Sequence, residues 1–91
     1  MKYNLEFALL GDECGFAVVD HDRHLANYCS PTTAIREGLS DRSKWRKFAV
    51  SLIDEEAHWL ATGAPRTSYQ EASGWLAYAA NQGVSTQTAV I

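Results

Sequence analysis

Few groupings of side chains in this sequence could do chemistry. The densest is Asp20-His21-Asp22-Arg23-His24, which mixes carboxylates and imidazoles as a metal site would. Consecutive residues in a turn point in different directions, however, and no further Cys or His stands at ligand spacing from them. The run reads as a solvated polar turn. Glu55-x-x-His58 sets a carboxylate and an imidazole side by side on a helix, because residues three apart are neighbours there. Di-metal bundle sites need that motif twice, with further carboxylates, and here it occurs once. Asp54 and His58 serve equally well as an i,i+4 surface pair. Cys14 or Cys29 could act as a nucleophile beside a histidine, but no nucleophile elbow is present. A phosphate-binding glycine loop and a dinucleotide fingerprint are also missing. These residues lead to the expectation of a protein that is not an enzyme and needs no cofactor or metal.

The elements that would position these groups are dominated by one stretch, Ser40 to Gly63. At about 100° per residue, Trp45, Phe48, Ala49, Leu52, Ile53, Trp59 and Leu60 fall on one face of a helix. Ser40 or Asp41 can cap its start, and Gly63 followed by Pro65 closes it. Glu56 lands inside the apolar stripe. A lone buried carboxylate costs on the order of several kcal/mol, so Glu56 needs either a solvated seat at a protruding helix end or a partner. The charge order is also reversed. Arg42, Lys44, Arg46 and Lys47 crowd the N-terminal turns, and Asp54, Glu55 and Glu56 lie toward the C-terminus, against the helix dipole. Folding does not need that order. It suits a partner, and an antiparallel copy of the same helix would set basic end against acidic end, giving a homodimer through residues 41–62.

Ahead of this stretch, Tyr3, Leu5, Phe7 and Leu9 alternate with Asn4 and Glu6, the pattern of a half-buried strand. Gly11–Gly15 is a turn, Phe16–Val19 a second strand and Leu25–Cys29 a third. A loop at His21-Asp22, or the wider Asp20–Arg23, would place Cys14 opposite Cys29, within cross-strand reach. In a cytoplasmic protein two reduced thiols are the expected state. Ser30 and Pro31 start a short helix that Gly38 ends. Ala64–Arg66 is a tight connection. Ser68 and Glu71 open a last helix with capping-box spacing. Its stripe of Ala72, Trp75, Leu76, Ala79 and Ala80 is small enough to pack closely on the central helix. Residues 84–91 form a tail, frayed unless docked.

The string Ala79-Ala80-Asn81-Gln82-Gly83-Val84-Ser85-Thr86-Gln87-Thr88 resembles the helix-turn-helix of lactose-repressor-type regulators. There an Ala precedes Gly-Val-Ser by four residues and Gln-Thr opens the recognition helix. The resemblance covers ten residues of 91 and implies DNA reading by Ser85, Thr86, Gln87 and Thr88. No Arg or Lys follows Arg66 to supply the phosphate contacts that dominate DNA affinity. A glycine C-cap followed by a tail explains the same residues.

The 91 residues suit one domain, divided into a β-meander over 1–29, a helical part over 30–83 and the tail. A hydrophobic fraction of 46% argues for a packed core, and the net charge of −3 argues against a general nucleic-acid binder. Arg36, Arg42, Lys44, Arg46 and Lys47 nevertheless form a local basic patch. No apolar run approaches the ~20 residues of a membrane span, and no signal peptide is evident, so a cytoplasmic location is expected. The expected fold is α+β, with a small antiparallel three-stranded sheet followed by three helices, the central one longest. The expected function is a non-enzymatic protein-binding module of inhibitor or immunity type. Phages and mobile elements encode such proteins, anti-CRISPRs and antitoxins among them, to occlude a partner. Trp45, Asp54, Glu55, Glu56 and Trp59 are the candidate partner-binding residues. A nucleic-acid regulator using the 36–47 patch or the C-terminal string is the alternative. A small metal-dependent enzyme using His58 with Asp54 or Glu55 stands third.

Overall fold

The structure, a computed structural model, describes residues 2–11, 13–63 and 67–91. The expected connection at 64–66 and the helix closure at Pro65 lie outside the described residues. The fold is α+β. It carries four antiparallel strands in one sheet: β1 (Asn4–Gly11), β2 (Gly15–Asp20), β3 (Leu25–Cys29) and β4 (Gln87–Val90), in the order β3-β2-β1-β4. The helices are α1 (Pro31–Arg36), α2 (Trp45–Ala61) and α3 (Tyr69–Asn81), with a 3-10 turn at Arg42–Lys44 before α2.

Two corrections to the sequence-based topology have plain causes. The tail is not frayed: it forms β4, paired with β1 from Asn4↔Val90 to Phe7↔Gln87. A four-residue strand beginning with Gln-Thr carries too little alternation to stand out without its partner. Ser85, Thr86, Gln87 and Thr88, which the helix-turn-helix resemblance would place at the start of a helix, lie in the approach to that strand and in the strand itself. Gly83 does cap α3, at φ +87. The Val84 N–H donates to the Ala79 carbonyl at 2.9 Å, and the chain turns back to the sheet instead of starting a second helix.

The second correction concerns layers. The register pairs Leu5↔Asp20, Phe7↔Val18 and Leu9↔Phe16, then Phe16↔Cys29 and Val18↔Asn27. Directly opposed residues share a face, so Leu5, Phe7, Phe16, Val18 and Asn27 point to one side, and Glu6, Ala8, Ala17, Val19 and Tyr28 to the other. The first side holds α2: Phe16 meets Trp45 edge-on at 5.7 Å and Phe48 at 5.6 Å. Asn27 Nδ2 donates to the Leu52 carbonyl at 2.9 Å on the same side. The second side holds α3, where Trp75 meets Tyr28 at 5.5 Å. The sheet therefore separates the two long helices. Trp75 and its alanines were expected against α2, and they pack on the opposite face of the sheet. All six residues of β2 are buried, because this strand is covered from both sides.

The same register corrects the hairpin. Asp20 pairs with Leu25, so the loop is the four residues His21–His24. Cys14 then falls beyond the ladder and is exposed, while Cys29 is buried opposite Phe16. The buried Asp20 carboxylate fixes this loop. It accepts from the N–H groups of Asp22 (3.0 Å) and Arg23 (3.3 Å) and pairs with Arg23 Nε at 2.9 Å. A carboxylate so placed organises a turn in the manner of an Asx motif.

Capping follows the sequence. Ser30 accepts from the Thr33 N–H and Ser68 from the Glu71 N–H, each at 3.2 Å. Asp41, not Ser40, makes the cap before α2, and it caps the 3-10 turn by accepting from the Ser43 N–H at 3.0 Å.

Candidate functional site

The residues expected to bind a partner divide between the interior and the surface. Trp45 is core, 3% exposed: its indole N–H donates to the Leu39 carbonyl, and the Arg42 guanidinium lies 4.8 Å from its ring centroid. Glu56, at 4% exposed, is buried on the sheet-facing side of α2 and does not sit at a solvated helix end. Asp54 and Glu55 are exposed, and Asp54 accepts from the Tyr3 hydroxyl at 2.7 Å. Trp59 and Leu60 lie at the surface, 39% and 59% exposed. His58 stands beside Trp59 with ring centroids 5.5 Å apart. The single face read from the sequence is thus an inward stripe ending at Glu56, followed by an outward Trp59-Leu60 pair.

The basic group is also divided. Arg36 ends α1, and Arg42 is spent over Trp45 with a long 3.5 Å contact to the Ser85 carbonyl. Lys44 and Lys47 border a shallow depression with Glu37, so one acid sits among the cations. Arg46 is exposed.

The Asp20–His24 loop engages a different set of partners at each residue. His21 bridges Glu6, whose Oε1 is 2.9 Å from Nε2, and the Tyr69 hydroxyl, 2.6 Å from Nδ1. Asp22 accepts from Asn4 Nδ2 at 3.1 Å. His24 takes a positive φ of 52 and lies against the Tyr69 ring at 4.6 Å. Far from being merely solvated, the loop ties β1, β2 and the start of α3 together. No group of three or more His, Cys, Asp or Glu positioned for a metal ion occurs among the described residues.

One concavity among the described residues was not anticipated. Leu10, Cys14, Tyr28, Trp75, Tyr78, Ala79, Gln82 and Val84 line an apolar cleft of about 510 Å³ on the α3 side of the sheet. Two features open it. The β1–β2 register slips between Leu9 and Gly11, a bulge at Leu10 near the hairpin tip. The C-terminal half of α3 then presents small Ala79 toward the gap while Tyr78 remains 68% exposed. Burial pushes the Tyr28 phenol above its ordinary range. The exposed Cys14 thiol stands at the mouth, whereas burial raises the pKa of Cys29 and keeps that thiol protonated. The signal that could have found the cleft is the aromatic pair Trp75 and Tyr78 on one helix. Its other walls come from β1, β3 and the hairpin, which only the fold brings near.

Among the described residues no helix is long and apolar enough to cross a membrane. No family model, curated protein or solved structure matches this chain.

Proposed function

We propose that this protein is a cytoplasmic, non-enzymatic protein-binding module of inhibitor or immunity type that acts by occluding a partner. The observation that supports the reading is the open apolar cleft rimmed by Tyr28, Trp75 and Tyr78. Tyr and Trp are favoured interface anchors because they bury a large area with few rotatable bonds and keep a polar tip for the rim. An apolar side chain projecting from a folded protein fits such a cleft. The charged end of α2, with Asp54, Glu55 and Trp59, lies on the other face and is the second surface available to the same function.

The test begins with affinity capture from the native host and continues with the purified partner. Tyr78→Asp puts a charge on the rim at a side chain that is 68% exposed, so the fold should survive. It is expected to weaken partner binding about tenfold or more, as loss of an interface anchor does. Trp59→Ala and Asp54→Lys report on the α2 end. Full affinity in all three variants would exclude both surfaces and end the reading.

A further inference from the structure

β4 lies at the rim of the sheet, and its outer edge has the properties of a strand that pairs with its own copy. The Tyr3 N–H donates to the Ile91 carbonyl and the Ile91 N–H to the Tyr3 carbonyl, both at 2.9 Å. Antiparallel ladders alternate, so Leu5↔Ala89 and Phe7↔Gln87 are the next pairs bonded across β1–β4. The backbone groups of Thr86, Thr88 and Val90 therefore point away from β1. No strand of the described residues lies beyond them. Thr88 is exposed and Val90 is 79% exposed, so no helix or loop of the described residues covers these two side chains.

The opposite rim is treated differently. At β3, the outward Tyr28 N–H is taken up by Asn27 Oδ1 at 2.7 Å, and α2 stands alongside through Leu52. Edges left open in monomers usually carry Lys, Pro or a bulge. β4 carries none of them. No charged residue occurs anywhere from Ala72 to Ile91 in a chain that is 21% charged overall. Interface cores are depleted in charge in the same way.

We propose that two copies of this chain pair through β4, antiparallel, about a two-fold axis perpendicular to the sheet. With Thr88 opposite Thr88 of the second copy, the outward residues match: Thr88 bonds its counterpart, and Val90 bonds Thr86 on both sides of the axis. A second copy is favoured over an unlike partner because the edge is self-complementary in backbone groups and has no charge to repel itself or to select an opposite charge. The two four-stranded sheets join into one of eight strands. Since the axis keeps faces together, both clefts at Trp75 and Tyr78 open on the same side.

Sedimentation equilibrium on the full chain tests this, with the expected mass near twice the 10.1 kDa of one copy. Thr88→Lys sets like charges against each other at the axis. Thr88→Pro removes an N–H that β1 does not use, on an edge strand where proline is tolerated. Each is expected to weaken dimerisation about tenfold or more while circular dichroism shows the fold retained. Hydrogen exchange supplies a readout that survives a poorly folding variant: in the wild-type chain the Thr88 and Val90 amides gain protection as concentration rises. A wild-type mass of one copy at all concentrations overturns the proposal. So does a dimer that keeps its affinity in a folded Thr88 variant, or one dissolved by Arg46→Glu or Asp54→Lys instead, which would place the contact on α2.

Discussion

Trp45 and Tyr78 show how little a residue's type says about its task. Both are aromatic and on helices, yet one is core and the other stands in solvent. The indole N–H of Trp45 meets the Leu39 carbonyl, which is itself buried at 1% exposure. Trp45→Phe keeps an aromatic ring against Phe16 but strands that carbonyl. It should cost about 1–3 kcal/mol in urea denaturation, the penalty for an unsatisfied buried acceptor. Titration gives a second residue-scale expectation. The Tyr3 phenol is held above its ordinary 10.0 first by its hydrogen bond to Asp54, and the Cys29 thiol above 9.0 first by burial. In each case the folded chain keeps a proton that the unfolded chain would lose. The stability they contribute is full below the ordinary values and fades as pH rises through the higher folded ones. Denaturation midpoints should therefore fall above pH 9 to 10, and Tyr3→Phe should flatten part of that fall. The thiols should also differ in rate: exposed Cys14 reacts promptly with an alkylating reagent, and Cys29 only on unfolding.

At the scale of elements, two glycines mark where backbone geometry rules and where it does not. Gly15 begins β2 at φ +86, and a Cβ there would come 2.1 Å from the Cys29 carbonyl oxygen. That distance lies far inside van der Waals contact with backbone that cannot move without breaking the β2–β3 ladder. Gly15→Ala should cost well over ~2 kcal/mol or prevent folding. Gly74 sits within α3, exposed, with nothing within 4 Å of an added Cβ. Gly74→Ala should stabilise by about 0.5–1 kcal/mol through helix propensity alone. Both are measured by thermal or urea melting, and the opposite signs separate the two causes. The helix caps at Ser30 and Ser68 and the breaks at Gly38 and Gly83 were readable because each depends on residues close in sequence. The β2–β3 register was not. It rests on the Asp20 carboxylate gathering the N–H groups of Asp22 and Arg23, and a hairpin loop two residues shorter would satisfy the same composition.

For the whole molecule, the consequence of a sheet between two helices is energetic separation. Ile53 and Leu76 are each almost wholly buried, at 0% and 1% exposed, on opposite faces. Either substitution to Ala should cost about 2–5 kcal/mol, as cavities of that size do. Because the sheet lies between them, the double variant should equal their sum within about 0.5 kcal/mol. Two substitutions on one face, such as Phe48→Ala with Phe16→Leu, should instead depart from additivity, because those rings touch at 5.6 Å. Helices packed on each other, as the alanine stripe of α3 had suggested, would couple Ile53 to Leu76.

Local patterns in the sequence were enough for the α+β class, the first three strands, the helices with their caps, and the oddness of Glu56 within an apolar stripe. Alternation, helical periodicity and capping act over a few residues and need no distant partner. The tertiary structure alone decided three things. It made the last residues a strand, because Gln87–Val90 is stable only against β1. It put α2 and α3 on opposite faces, because apolar stripes do not record which surface they meet. It also sent Trp45 inward and left Asp54, Glu55 and Trp59 of α2 outside, since an apolar stripe does not record which of its turns another element covers. The aromatic cleft follows from the same rule. Its walls are separated by up to 74 positions in the chain, from Leu10 to Val84, and only the register of four strands brings them together.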